Sequence, residues 1–233
     1  MKKGLFIVFA LLAIFCAVLV LLLMPVRVPT EDEADALLQQ LHTEQSYEKR
    51  AELTAEFLHS LCRAMADHGP IDDIEDYTFG LLKSRFLEER DEAILEGLDR
   101  ATMDGGFAND LSGFYHDLKN EPEFVRRYRE NETARDALKR CVGLAWSYED
   151  YYSLLYSGDD SKEIDKEIAL KIAEGPAFQL GYNPRKSTVT CEKIGNEFTV
   201  TYYSKSNPEQ EDVSVLIDSR NAKVIAVIDL REG

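Results

Sequence analysis

Apolar residues recur at helical spacing through the middle of the chain. From Thr30 to about Tyr156 they return every three or four positions, which places them on one face of an α-helix where they can be buried together. Gly69-Pro70 and Gly105-Gly106 interrupt the pattern, as glycine and proline do where helices end. This part of the chain is therefore predicted to form several packed helices.

After Gly158 the apolar period falls to two. One more helix is predicted first, opened by Asp160 and Glu163 at the spacing of a capping box. Alternating residues then flank Gly195-Asn196, as the two arms of a β-hairpin flank its turn. The predicted strands are residues 188–194 and 197–204, followed by a second hairpin of residues 213–218 and 223–230.

Helices followed by antiparallel strands predict an α+β fold. The change of period near Gly158 predicts two subdomains. Residues 30–158 are the helical bundle subdomain, and residues 159–233 are the subdomain with one helix and a four-stranded antiparallel sheet.

The N-terminus has a different pattern, because no charged residue occurs from Gly4 to Val26. Twenty-odd apolar residues in a helix span roughly the 30 Å core of a bilayer. Lys2 and Lys3 precede them, and the positive-inside rule places that end in the cytoplasm. We therefore predict that residues 1–29 are an uncleaved transmembrane anchor that spans a membrane through residues 4–26. The protein would be a single-pass protein of the plasma or inner membrane, with its folded part periplasmic or extracellular.

Charge narrows the choice of partners. The 233 residues include 27 Lys and Arg against 43 Asp and Glu, which gives a formal net charge of −16. Such a surface repels phosphate backbones, so nucleic acid is not an expected partner. A basic protein, a peptide or a cation is a compatible partner. The alternative is that the negative charge only keeps the protein soluble.

Three cysteines follow the N-terminal apolar run, and none forms a CxxC pair. The spacing argues against a zinc or redox site. In an oxidising compartment Cys62 and Cys141 could form a disulfide between two helices and leave Cys191 alone. Buried free thiols are the alternative.

The aromatic residues near the predicted subdomain boundary are the most unusual local feature. Trp146 precedes Tyr148, Tyr152 and Tyr156, and the three tyrosines repeat every four residues on one helix face. Such a face could stack on a sugar or a peptide, or line a cleft between the subdomains. More often such a face is the packing seam between them. These four residues are the predicted binding site.

Residues 161–230 resemble PepSY-type modules, which combine a helix with an antiparallel sheet and occur outside the cytoplasm. The resemblance rests on EIALKIAEG at 167–175 and on VSVLIDSRNAKVIAVIDL at 213–230. Asp218 and Lys223-Val224 occupy the positions of the family's strand–turn–strand pattern, and Ala222 replaces its turn glycine. The resemblance implies a binding or peptidase-restraining role without catalysis.

No motif for catalysis, metal binding or a cofactor is present. Glu56 and His59 form half of a di-metal Glu-x-x-His arrangement, and the sequence has no second copy. We therefore predict a binding or accessory protein for a protein or peptide partner, with no catalytic residues, metal or cofactor. One alternative is a small envelope hydrolase that uses carboxylates between Asp72 and Glu92. The other is a peptidase-restraining or immunity-type protein.

Overall fold

The computed structural model describes residues 26–159, 161–182, 187–204 and 207–230, the last of these without the side chains of 207–211. These residues form an α+β structure of helices followed by one antiparallel sheet. The helices are α1 (Glu31–Thr43), α2 (Tyr47–His68), α3 (Asp72–Glu89), α4 (Glu92–Gly105), α5 (Ala108–Leu118), α6 (Pro122–Glu130), α7 (Glu132–Lys139), α8 (Tyr148–Tyr156) and α9 (Lys166–Gln179). The strands are β1 (Thr188–Ile194), β2 (Glu197–Ser204), β3 (Asn207–Asp218) and β4 (Val224–Asp229).

The prediction of a transmembrane protein needs correction. Within the described ranges, no helix is both long and apolar enough to cross a membrane. Even α2, with 22 residues, carries charges along its whole length, among them Glu52, Arg63 and Asp67. The predicted span, residues 4–26, lies outside the described residues except for Val26. The single-pass topology and the periplasmic or extracellular location are therefore not supported.

Helix α4 is the centre of the helical part. Its first turn is capped by Asp91, whose carboxylate accepts a hydrogen bond from the Ala93 amide at 3.2 Å. Buried residues cover more than half of its circumference, and Glu92, Glu96 and Arg100 occupy the remaining face. The buried residues are Ala93, Ile94, Leu95, Gly97, Leu98, Asp99, Ala101 and Thr102.

The closest approach to α4 is made by α2, at Gly97. A Cβ placed on Gly97 would lie 2.5 Å from Thr54 Cβ and 2.7 Å from the Ala51 carbonyl oxygen. Neither of these groups can move without moving α2 itself. The absence of a side chain at residue 97 therefore sets the distance between the two helices.

The sheet has the order β1-β2-β3-β4, with every pair antiparallel. Cys191, Val200 and Val215 face one another across three strands and are buried on the side where α9 packs. Gly195 makes the first turn at φ 61°, a conformation that glycine adopts without strain. The hairpin predicted from residues 188–204 is confirmed.

Two local predictions in this part were wrong. β3 begins at Asn207, six residues before the predicted start, and its pairing with β2 shifts register on both sides of Tyr203. The proline at 208 is tolerated because it is the second residue of the strand, next to these irregularities. Helix α9 is capped by Asp165, whose Oδ1 accepts from the Ile168 amide at 2.9 Å. The predicted cap, Asp160, lies outside the described residues.

The helices and the sheet share one hydrophobic core. Buried residues form a continuous cluster from Leu37 in α1 to Ala222 before β4. Polar contacts add to this: the Val224 amide donates to Glu149 Oε1 at 3.0 Å, and the Ile164 amide donates to the Ser219 carbonyl at 2.8 Å. The predicted division near Gly158 stays a prediction.

We expect Gly97→Ala to destabilise the protein, because the new methyl group would overlap backbone and side-chain atoms of α2. Overpacking of this kind costs about 1–3 kcal/mol of unfolding free energy. Gly80→Ala and Gly113→Ala are matched helical controls with no atom within 4 Å of the added Cβ, and they should gain up to about 1 kcal/mol. Urea unfolding measures all three. A Gly97→Ala variant as stable as the controls would contradict the close approach.

Candidate functional site: the Trp146 pocket

The structure separates the four predicted binding residues into two places. Tyr148, Tyr152 and Tyr156 form a ladder along α8, with ring centroids 6.2 and 6.4 Å apart. Helix α8 packs against α9, and the three rings contact the shared core. This is the geometry of a packing seam.

Trp146 lies apart from this ladder, before α8. A tight reversal brings it inward: Gly143 takes φ 90° and its amide donates to the Trp146 carbonyl at 2.7 Å. The indole is 1 % exposed and packs against Phe124 and His116, with centroid distances of 6.2 and 6.1 Å. Ser147 then caps α8 by accepting from the Asp150 amide at 3.0 Å.

A pocket of about 360 Å3 opens beside Trp146, where the helices meet the sheet. Its walls come from the end of α5, from α6, from α8 and from the residue before β4. Val125 and Leu154 supply apolar surface. The volume lies at the small end of the range for ligand sites, so the pocket suits a molecule about the size of an amino acid.

Two residues that line this pocket carry buried polar atoms without a partner. Trp146 Nε1 and Ser153 Oγ are inaccessible and make no hydrogen bond. An unpaired buried polar group costs about 1–3 kcal/mol, and native proteins contain few of them. Among the described residues, these two side chains of the pocket wall therefore have unused hydrogen-bonding capacity.

The charges around the pocket differ from those of the whole chain. Lys119, Arg129 and Lys223 line it together with Glu149 and Asp150. Cations therefore outnumber carboxylates here, although the chain has a net charge of −16. The pocket is a local positive region in an acidic protein.

Arg129 also builds the wall. Its Nε donates to the Leu154 carbonyl at 2.7 Å, and its Nη2 donates to the Ser157 carbonyl. These carbonyls belong to the last turn and the C-cap of α8, which lack helical partners. Arg129 thereby ties α6 to the end of α8.

A second polar cluster, centred on Asp99, is enclosed in the helical core. Asp99 is 3 % exposed, and its Oδ1 accepts from Tyr115 at 3.0 Å and from Tyr128 at 2.6 Å. Its Oδ2 accepts from Arg127 Nε at 3.1 Å and Nη2 at 2.7 Å. Arg127 Nη2 also donates to Glu96 at 2.5 Å.

Burial raises the pKa of Asp99 to about 6, and the arginine and the two tyrosine hydroxyl groups offset part of that rise. The Arg127 guanidinium group, which donates two hydrogen bonds to Oδ2, balances the charge of the carboxylate. Both carboxylate oxygens are occupied by donors of the protein itself. This arrangement joins α4, α5 and α6 and leaves Asp99 no free position for a substrate.

The carboxylates that the hydrolase alternative requires lie in different surroundings. Glu88 and Glu89 line one open pocket, and Asp72 and Asp73 line another. Asp91 is 8 % exposed and is held by Arg50 at 3.0 Å and Arg85 at 3.4 Å. Burial, then Asp76, Asp72 and Asp110, raise the pKa of Glu75. In the parts of the chain that are described, no group of three or more His, Cys, Asp or Glu side chains could hold a metal ion.

The predicted disulfide between Cys62 and Cys141 is not formed. Both residues, and Cys191, are free and buried, which is the alternative that the sequence left open. Burial raises the pKa of Cys62 and that of Cys141 to about 12. Cys62 belongs to the α2 side of the core, whereas Cys141 follows α7 with its Sγ 4.0 Å from the Ala137 carbonyl oxygen.

A comparison with models of known protein families finds none that matches this chain. The PepSY resemblance of residues 161–230 therefore stays a prediction.

Of the residues that line this pocket, only Trp146 is among the four predicted binding residues, and its role in binding stays a prediction. Ser153 and Lys223 are ordinary polar residues, 70 positions apart, and nothing in their local sequence connects them. Asp99 gave no distinct signal, because the same helix also carries Glu92, Glu96, Arg100 and Asp104.

We expect Tyr128→Phe to lower the unfolding free energy by about 1.5–3 kcal/mol, the usual loss for a hydrogen bond to a charged group. The substitution removes only the hydroxyl group that donates to Asp99. Tyr156→Phe is the control, since the Tyr156 hydroxyl bonds to no described residue, and it should change stability by less than about 0.5 kcal/mol. Equal losses in thermal or urea unfolding would argue against the Asp99 cluster as a stabilising centre.

We expect Cys62 and Cys141 to resist alkylation in the folded protein, because iodoacetamide attacks the thiolate and both thiols are buried and protonated. Peptide mass spectrometry after native labelling should show both unmodified, and labelling in guanidinium should modify both fully. A peptide pair joined through these cysteines in a non-reduced digest would instead restore the disulfide.

Proposed function

We propose that this protein is a non-catalytic binding protein that holds a small polar ligand in the Trp146 pocket. The observation that carries the proposal is the pocket itself, whose walls combine apolar side chains with three cations, those of Lys119, Arg129 and Lys223. A ligand that enters the pocket would contact charged, hydroxyl and apolar groups of its wall.

The position of the pocket supports binding as its role. Trp146, Arg129 and Lys223 come from three separate parts of the fold. Rigid elements hold the walls, since Arg129 is fixed by two α8 carbonyl groups and Trp146 is packed against Phe124. A pre-formed pocket loses little entropy when a ligand binds.

The surroundings of the buried carboxylates favour binding over the hydrolase alternative. A general acid or base must reach the proton that it transfers. Asp99 and Asp91 are instead surrounded by arginine and tyrosine donors of the protein. Glu149 and Asp150 are at the Trp146 pocket, but Glu149 accepts from the Val224 amide and Asp150 from Ser147.

Trp146 is the one tryptophan in the sequence, so its fluorescence reports on the pocket without a label. We expect at least one of three classes of small molecule, carboxylic acids, neutral amides and inorganic phosphate, to change its emission in a saturable way. The same class should raise the melting temperature, because a ligand that binds only the folded state stabilises it. If no class changes the emission, the protein does not use this pocket for such ligands.

Ser153→Ala tests whether the Ser153 hydroxyl group, which has no partner among the described residues, turns toward a ligand in the pocket. The variant should bind the ligand more weakly and melt no lower than the native protein, because the lost hydroxyl group has no partner. Ser219→Ala is the matched control: that buried hydroxyl group donates to Glu163 at 3.1 Å, so its loss should lower the melting temperature by about 2–4 °C. Equal destabilisation by both would show that Ser153 is already satisfied within the protein.

A further inference from the structure

We infer that the group bound in the Trp146 pocket is a carboxylate, an inference that rests on the proposed binding function. The first reason is charge. Lys119, Arg129 and Lys223 face only two carboxylates, those of Glu149 and Asp150. A single negative charge on the ligand would balance the remaining cation.

The hydrogen bonds and ion pairs that these three side chains make within the protein show which cation is available to bind a ligand. Lys119 Nζ lies 2.7 Å from His116 Nε2 and 3.5 Å from Asp150. Arg129 donates to two carbonyl groups of α8 and its C-cap. The Lys223 ammonium group forms no ion pair with any residue in the described ranges, and the residue is exposed at the pocket. Lys223 is therefore the cation that a ligand would meet.

The donor set gives the second reason. The ammonium group of Lys223 and the indole N–H of Trp146 donate and cannot accept. An ionised carboxylate only accepts and can receive several hydrogen bonds, so it can pair with the exposed Lys223 ammonium group. A neutral amide carries no charge and leaves the surplus cation unbalanced. A phosphate dianion carries more charge than the one surplus cation balances.

The apolar walls indicate what the carboxylate is attached to. Val125 and Leu154 line the same pocket, and Leu154 is 8 % exposed. An aliphatic body of a few carbon atoms would contact both. Two sources present such a carboxylate, namely a free small acid and the C-terminus of a peptide that ends in an aliphatic residue.

The test uses the full chain and two probes of nearly equal shape, N-acetyl-leucine and its neutral amide. We expect N-acetyl-leucine to change Trp146 emission in a saturable titration, and the amide to bind at least about tenfold more weakly. Gly-Gly-Leu with a free or an amidated C-terminus separates the two sources. At least about tenfold tighter binding of the free tripeptide than of N-acetyl-leucine identifies a peptide C-terminus, and equal or weaker binding identifies a free acid.

Lys223→Gln should weaken N-acetyl-leucine binding at least about tenfold, because it removes the ammonium group at the pocket. Lys49→Gln makes the same change in net charge on α2, far along the chain, and should leave the affinity within about twofold. If the amide binds as well as the acid, or if Lys223→Gln and Lys49→Gln behave alike, the carboxylate inference is overturned while binding in the pocket stands. If neither leucine probe nor any other class of compound changes the emission, the proposed function fails as well.

Discussion

The buried ion pair between Asp99 and Arg127 is the interaction on which the helical part depends. Asp99 is on the central helix α4, which approaches α2 so closely that only glycine fits at residue 97. A carboxylate buried where Asp99 lies would be strongly unfavourable if it were unpaired. Arg127, Tyr115 and Tyr128 supply four hydrogen bonds to it. Removal of any of these donors would leave the buried carboxylate with a missing hydrogen bond. Helices α5 and α6 can therefore pack against α4 only in the orientation that brings the donor groups to Asp99.

The same constraint positions the pocket. Arg127 and Arg129 are two residues apart on the short helix α6, and they therefore point to different sides of it. Arg127 binds α4 through Asp99, while Arg129 binds the end of α8. Because α6 is fixed on one side by a buried ion pair, the Arg129 side chain and the α8 carbonyl groups that it holds are fixed as well. The walls of the Trp146 pocket are in this way connected to the core.

The pocket also illustrates where prediction from the sequence ends. The four-residue repeat of Tyr148, Tyr152 and Tyr156 correctly placed these residues on one face of a helix, and that face packs against α9. Trp146 was grouped with these tyrosines in the predicted binding site because it is near them in sequence. A turn at Gly143 instead directs it toward Phe124 and His116. A glycine at positive φ reverses the chain, and periodicity cannot anticipate which neighbours follow from that reversal.

Local pattern by itself determined the α+β class, the helical spacing from Thr30 onward and the hairpin around Gly195-Asn196, because these depend on side-chain periodicity and turn residues close in sequence. It did not determine the start of β3 at Asn207, which depends on an irregular pairing with β2. It also misjudged the N-terminal apolar run, where length and hydropathy alone supported an anchor that the described helices do not include. Only the tertiary structure decided that Cys62 and Cys141 remain free thiols and that Ser153, Trp146 and Lys223 line one pocket. Contacts between distant residues depend on how helices pack around a buried charge, and that information is distributed over the whole chain rather than contained in any one segment.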